Sequence, residues 1–590
     1  MTVSNEGPAS MAGPTSETQQ STTTNGASYA LPAIKKLHGR AFYKSIGSPK
    51  FILAPMVDQS EFAWRMLSRS FMPSSSPRDL LAYTPMLHAR MFTETPKFRD
   101  AHFQPLRTSL TSHPSPTTPP SPADFYLDGN PTIDRPLFAQ FCANNPPELL
   151  NAARYVAPFV DAVDLNLGCP QGIARKGHYG AFLQEDQELI YSLINKLHNE
   201  LEIPVTAKIR ILETREKTLE YARNVVKAGV SILTVHGRTR EMKGHKTGLA
   251  DWSVIRFLRE QLPKETVLFA NGNILRKEDI SRCLEETGAD GVMSAEGNLY
   301  DPAIFADPPA VGEEGREFWR GRDGKGGWRM DAVFRRYMDI LYKYVLEQPA
   351  PERKPLYLPS DPELPPPVVE NGVGKRKAED EEEDGPPKKK RKRGGERTSN
   401  PNLLAMQPHL FHLLRPLVSR HHNVRDALAR CRAGDIAAFE NVLQLVEIAV
   451  KEGLKEYEES NGKSWEEEME RDERLKAAKE AEEKLKGGEK KEESEKEEMD
   501  ESSVETVRAC KRPWWVVQPY VRPLPKEALA KGSLTLSKKE RAALEAGAVA
   551  VKGESNVVKE SGVPNGHVEV EKVGEGREEI EIPKVGLACG

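Results

Sequence analysis

Short apolar runs of strand length recur through the first half of the chain, and each is followed by a stretch whose apolar residues repeat at helical spacing. The strand-like runs are FILAPM (51–56), LAYTPM (81–86), PLFAQFC (136–142), AVDLNLGCP (162–170), PVTAKIRI (204–211), SILTVHGR (231–238), TVLFANGNI (266–274) and DGVMSAEG (290–297). Runs of this length bounded by Gly, Pro and Asn suit strands covered on both faces. Residues 61–70, 147–156, 186–198, 214–227, 252–261 and 277–286 carry the helical period between them. Eight such units in about 260 residues predict an α/β chain folded as a closed (β/α)8 TIM barrel. An open doubly wound sheet would begin with a G-x-G-x-x-G turn, whereas the first run here ends in Ala54-Pro55-Met56.

The pattern changes on either side of the barrel, assigned to 46–310. Residues 1–45 are rich in Ser, Thr and Gly and read as a disordered tail. The stretch TSLTSHPSPTTPPSPA (108–123) reads as a surface insertion. After the barrel, WRMDAVFRRYMDILYKYV (328–345) is amphipathic, and helical character returns at 402–457. These predict one small all-α domain (325–347 and 400–458) split by a disordered insertion (348–399). A Glu/Lys-rich linker (459–510) leads to a dense aromatic island, PWWVVQPYVRP (513–523), inside a segment (511–526) that should dock on the folded part. Residues 527–590 read as a disordered tail.

Composition sharpens this outline in three places. With 590 residues, 38% hydrophobic and 29% charged, the chain is too polar to be globular throughout, so one folded core with extensions is expected. Its net charge of −4 averages acidic and basic blocks that lie apart, and the block PPKKKRKR (386–393), preceded by KRK (375–377), fits a nuclear import signal. A nonspecific RNA tether is the rival reading of that block; the import reading places the protein in nucleus and cytoplasm. Six cysteines at 142, 169, 283, 431, 510 and 589 form no C-x-x-C pair, so neither a disulfide framework nor a cysteine zinc site is expected. His409, His412, His421, His422 and Cys431 lack ligand spacing, and no metal is expected. No signal peptide or membrane-length apolar run is present, which predicts a soluble intracellular protein without membrane contact.

Barrel enzymes build their sites at the C-terminal ends of the strands, and polar residues gather there in this chain. They are Gln140, Asn166, Lys208, Arg210, His236, Arg238, Asn271 and Asn273, with Cys169 held between Gly168 and Pro170. A lone cysteine in an apolar run is more often packing than chemistry, so its neighbours carry the argument. A barrel needs few polar groups for stability, and a ring of them implies a polar ligand. Asn271-Gly272-Asn273 and Ala295-Glu296-Gly297 put small residues on the seventh and eighth loops, where backbone N–H groups can meet a phosphate. Flavin mononucleotide is commonly seated this way, and Lys208 near its pyrimidine edge would stabilise the anionic reduced ring.

The motifs APMVDQS (54–60), YTPMLHARMF (83–92), LNLGCPQGIARKGHYGAFL (165–183), TAKIR (206–210), VHGRTREMKG (235–244), NGNI (271–274) and SAEG (294–297) resemble the tRNA-dihydrouridine synthase family. The form KGHYGAFL is similar to the eukaryotic branch that acts on D-loop uridines, at positions 16 and 17 of the tRNA. PWWVVQPYVRPLP resembles a tail motif of that branch. The resemblance implies an FMN-dependent oxidoreductase that reduces the C5=C6 bond of uridine, with NADPH or NADH as reductant. It implies that Pro55, Met56 and Val57 line the flavin, that Gln140 and Lys208 hold its ring, and that His236 lies against flavin or substrate. Asn271, Gly272, Asn273, Ala295, Glu296 and Gly297 would grip the phosphate. Cys169 would be the general acid, while Asn166 and Arg238 would face the substrate. A protonated thiol can give a proton to C5 without leaving a strong base behind.

Such an enzyme must unstack its uracil and grip the tRNA around it. Arg335, Arg336, Lys343, Arg415, Arg420, Arg425, Arg430 and Arg432 are the candidate phosphate contacts. The protein is expected to act as a monomer. Two other functions stay open on the sequence: a small-molecule flavin oxidoreductase of the dihydroorotate dehydrogenase or ene-reductase type on the same barrel, and a catalytically silent RNA-binding scaffold.

Overall fold

In the computed structural model, the residues described are 36–73, 75–110, 121–362, 398–469, 471, 503–530 and 532. Nine parallel strands form one sheet: β1 (Phe51–Leu53), β2 (Leu80–Tyr83), β3 (Leu87–His88), β4 (Leu137–Cys142), β5 (Ala162–Leu167), β6 (Val205–Arg210), β7 (Ile232–His236), β8 (Val267–Asn271) and β9 (Gly291–Ser294). β1 pairs with both β2 and β9, and β2 also pairs with β4, so the sheet closes on itself. The result is the eight-stave barrel expected from the sequence, with β3 as a two-residue extra beside β4. Nearly every stave residue is buried, because side chains fill the inside and helices cover the outside.

The covering helices are α2 (Phe62–Arg69), α3 (Ala89–Glu94), α4 (Pro96–His102), α5 (Pro146–Val156), α6 (Gly172–Gly177), α7 (Gln187–Glu200), α8 (Arg215–Lys227), α9 (Trp252–Gln261), α10 (Lys277–Thr287) and α11 (Glu296–Tyr300), with α1 (Gly39–Ser45) ahead of the first strand. Four of them start on side-chain caps: Asn145, Asp186, Thr214 and Asp251 each accept from a backbone N–H of the first turn. α1 corrects the reading of 1–45 as a disordered tail. Its Phe42 and Tyr43 are buried, and the Tyr43 hydroxyl donates to the carbonyls of Pro49 and Asp290 at 3.0 Å. Two aromatic side chains within otherwise polar sequence are enough to anchor a short helix.

Beyond the barrel, a hairpin of β10 (Phe318–Arg320) and β11 (Gly326–Trp328) precedes α12 (Met330–Ile340), which continues into a π-helical turn, Leu341–Leu346. α13 (Pro401–Leu404), α14 (Met406–Leu413), α15 (Arg415–Arg420), α16 (His422–Arg430) and α17 (Ile436–Glu459) complete the helical region. It shares a continuous apolar core with the barrel. Polar contacts register the two: Asn402 accepts from the Ala63 N–H at 2.8 Å, and His409 stacks on Trp64 while meeting the Glu61 carboxylate at 3.0 Å.

Several boundaries move. Residues 348–362, read as part of a disordered insertion, lie against α12 and α17 through Arg353, which bonds Glu440 at 2.7 Å and Asp339 at 2.5 Å. The ends of the 108–123 insertion are pinned by a bridge between Leu106 and Phe125. α18 (Ser503–Cys510) lies inside the span read as a charged linker, and α19 (Pro525–Ala530) runs into the expected C-terminal tail. Most of the N-terminal tail, the middle of the 108–123 insertion, the basic block at 386–393, most of the linker and residues 533–590 lie outside the described residues. Among the described residues, no helix is long and apolar enough to cross a membrane.

Candidate active site

Side chains two apart on a strand share a face, so Asp164 and Asn166 on β5 point together into the barrel, level with Gln140 on β4 and with Thr206 and Lys208 on β6. They form a directed chain of hydrogen bonds. Asn166 Nδ2 donates to Gln140 Oε1 at 2.8 Å, Gln140 Nε2 donates to Asp164 Oδ2 at 2.8 Å, and Thr206 Oγ1 donates to Asp164 Oδ1 at 2.6 Å. Burial pushes the Asp164 carboxyl up to about 6, against the pull of these donors and of Lys208. Neither Asp164 nor Thr206 was singled out from the sequence; the i, i+2 relation of Asp164 to Asn166 was the available signal.

The same Asn166 side chain holds the cysteine turn. Its Oδ1 accepts from the Gly168 N–H at 3.1 Å and the Cys169 N–H at 2.9 Å, which leaves one amide N–H for any substrate. Arg210 closes the turn from the next strand, with Nε on the Gly168 carbonyl at 2.8 Å and a second nitrogen on the Thr239 carbonyl at 3.0 Å. Lys243 adds a bond to the Pro170 carbonyl at 2.7 Å. Cys169 itself is only 1% exposed and packs with Cys142, Ala174 and Tyr179 beneath Met86 and Phe182. Gly180 crosses directly over it at φ +63°, where a Cβ would sit 2.9 Å from the Cys169 Cβ. Glycine is therefore required in the GAFL segment.

A cavity of about 980 Å³ opens at the ends of β7, β8 and β9. It brings together Asn271, Gly272, Asn273, Ala295, Glu296 and Gly297, the expected phosphate-end residues, with His236, expected against flavin or substrate, and Arg238, expected to face the substrate. Arg238 organises this wall by bonding His236 Nε2 at 3.1 Å, Asn273 Oδ1 at 2.8 Å and the Gly248 carbonyl at 3.0 Å. It thus sits among the residues at the ends of β7 and β8, in a cavity that Pro170 and Gln171 after Cys169 also line. Burial, reinforced by Arg210, Lys208 and Arg238, holds the His236 imidazole well below its usual range, so it is neutral. With Nε2 accepting from Arg238, the ring proton falls on Nδ1, which is buried without a partner. Asn271 Oδ1 is likewise unpaired, although its Nδ2 donates to the Met293 carbonyl at 2.9 Å. Gly272, at φ +114°, lets the chain pass where a Cβ would lie 2.5 Å from Ala250 Cβ.

Other expected residues fall outside this cavity wall. Pro55 and Met56 are buried at the end of β1 with Val57 half-buried, and Gln140 and Lys208 lie deeper in the barrel. Glu296 corrects the sequence reading. Its carboxylate is taken by Arg522 of the C-terminal segment, Nε to Oε1 at 2.8 Å and a second nitrogen at 2.7 Å, so only its backbone remains for a phosphate. Arg522 was missed because nothing in a linear reading connects it to a loop more than two hundred residues earlier.

The donor set fits a phosphorylated, polyhydroxylated cofactor. Arg210, Arg238 and Arg522 line it together with Glu296, and an unpaired donor on His236 and an unpaired acceptor on Asn271 stand beside them. The cavity volume suits a ligand of that size.

The dihydrouridine synthase (Dus) family model matches residues 52–340. The tRNA-dihydrouridine(16/17) synthase of Schizosaccharomyces pombe is 40% identical over 493 residues, covering 83% of this chain and 92% of that protein. The chain belongs to the tRNA-dihydrouridine synthase family. A second member, the tRNA-dihydrouridine(16/17) synthase of Saccharomyces cerevisiae, is 56% identical over 272 residues, covering 46% of this chain and 58% of its own length. A third, from Mus musculus and named as similar to the same synthase, is 45% identical over 285 residues, covering 48% and 54%. Alignment with the first of these dihydrouridine synthases runs well beyond the barrel, so the helical region is shared with it as well.

Among the arginines considered for RNA, Arg335 is paired with Glu447 at 3.0 Å and Arg336 with Glu317. Arg335 thus ties α12 to α17, and Arg336 ties α12 to Ser70 and Phe71 beside the barrel. Arg415, Arg420, Arg425, Arg430 and Arg432 stay on the surface of α15, α16 and the turn that follows, although Arg415 stacks on Tyr520 and Arg420 and Arg425 meet Glu468 and Asp426, each at 3.1 Å. No group of three His, Cys, Asp or Glu among the described residues is placed to hold a metal ion.

Proposed function

We infer that this dihydrouridine synthase reduces the C5=C6 bond of uridine to 5,6-dihydrouridine in the tRNA D-loop, at positions 16 and 17, using FMN and NADPH or NADH. The observation that carries the reading is the buried chain from Asp164 through Gln140 to Asn166, which ends on the turn presenting Cys169 beside a polar cavity. When bound, FMN supplies the hydride for C6. Arg238, Asn273 and the backbone of 271–273 and 295–297 would hold its phosphate end, and Gln140, Lys208 and the neutral His236 its ring.

Cys169 holds the proton for C5. Its turn is fixed through the backbone by Asn166, Arg210 and Lys243. Its burial in the cluster with Cys142, Ala174 and Tyr179 keeps water off the sulfur. The surface arginines from 415 to 432 would grip phosphates of the tRNA around the extracted base. The basic block at 386–393 supports nuclear as well as cytoplasmic residence. A small-molecule flavin oxidoreductase would have no use for the helical region, and the relatives are named for tRNA.

Incubation of the purified protein with NADPH and unmodified tRNA, followed by mapping of dihydrouridine, tests the reading. Product at 16 and 17 is expected from the wild type, and Cys169→Ala should keep its yellow flavin while losing at least about 100-fold in turnover. Full turnover by that variant would remove Cys169 from the mechanism.

A further inference from the structure

The aromatic island near the C-terminus forms a strap that leaves the helical region and ends on the barrel mouth. Its first part is fixed by backbone pairing, with the Met330 N–H on the Trp515 carbonyl and the Val517 N–H on the Trp328 carbonyl, both at 2.9 Å. Trp514 and Trp515, edge to face with each other, pack on α17 at Gly453, where a Cβ would stand 2.6 Å from the Trp514 ring. Further on, Tyr520 is sandwiched between Arg415, 3.7 Å above its ring, and Tyr300 at 5.9 Å. Residues 520–524 then line the same cavity as Arg238 and Asn271.

Glu296 explains why the strap ends in an arginine. A carboxylate on the last barrel loop stands where an anionic ligand is expected, and unpaired it would repel that ligand. Arg522 covers it with two nitrogens, and the pair is partly shielded from solvent. We propose that Arg522 is a positioning residue for the phosphate end of the cofactor cavity, cancelling the Glu296 charge and holding residues 520–524 as the cavity's outer wall. This rests on the flavin reading above. It makes cofactor retention depend on a segment separated from the barrel by the whole helical region.

The test uses full-length protein stripped of flavin and titrated with FMN, read by quenching of flavin fluorescence. Arg522→Ala should bind FMN at least about tenfold more weakly than wild type, because the wall loosens and the carboxylate is uncovered. Arg522→Gln gives the same reading if the alanine variant does not fold, as judged by circular dichroism. Adding Glu296→Gln to the Arg522 variant should recover the part of the loss that comes from the uncovered carboxylate, which a purely structural role for Arg522 would not produce. Unchanged FMN affinity in the Arg522 variants overturns the proposal and leaves the flavin reading standing, and so does a double variant no better than the single one. A wild-type protein that binds no FMN overturns both.

Discussion

Asn166→Ala removes one acceptor from two buried N–H groups, those of Gly168 and Cys169, which lie 3.1 and 2.9 Å from Oδ1. It also takes away the donor that satisfies Gln140 Oε1. A buried donor left without a partner costs about 1–3 kcal/mol, and partial relaxation of the turn brings the pair to about 2–4 kcal/mol in total. Since the neighbouring strands keep their ladders, the loss falls on local opening of the turn rather than on the barrel. At about 1.4 kcal/mol per factor of ten, exchange of the Gly168 and Cys169 amides should accelerate by about 30- to 1000-fold. Hydrogen–deuterium exchange with residue-level fragmentation measures it directly, with the Leu165 and Leu167 amides as internal references. The reasoning fails if the Cys169 amide exchanges at its wild-type rate in the variant, or if the whole of β5 accelerates with it.

Two more outcomes follow from buried groups. Asp164 sits at about 6 in the folded protein against an ordinary 3.8, so the native state holds its proton more tightly than the unfolded chain. The stability this gives is present below about pH 4 and lost as pH rises through about 6, a displacement of about two pH units or about 3 kcal/mol. Asp164→Asn cannot titrate, so its stability relative to wild type should rise between about pH 4 and about pH 7.5 in urea unfolding; a pH-independent difference would contradict the burial argument. Gly453→Val places atoms inside the Trp514 and Trp515 rings, at 2.6 and 2.8 Å, and should cost about 1–3 kcal/mol by expelling the strap. Tryptophan emission should shift to the red, and unchanged emission would mean that the rings do not dock there.

The barrel was legible because each stave is a short, fully buried run that can be told from its helix by period alone, as in PVTAKIRI followed by 214–227. Strand parity and strand ends were enough to bring Gln140, Asn166, Cys169, Lys208 and His236 to one end of the fold, since closure of a parallel barrel leaves them nowhere else to go. α1 was hidden because about two turns of helix anchored by Phe42 and Tyr43 have no periodic signature. The polarity of the Asn166–Gln140–Asp164 chain depends on which amide group faces which partner, and only packed side chains decide that. Arg335 and Arg336 looked like RNA contacts until Glu447 and Glu317 came to meet them from other elements.

Local patterning in the sequence thus determined the barrel, its polar rim and the thiol at the end of β5, because strand and helix periods are set by residues close together in the chain. The tertiary structure alone decided what encloses that rim. Arg522 reaches Glu296 across 226 residues, and a pairing of that span exists only once helical region, strap and barrel have packed into one body.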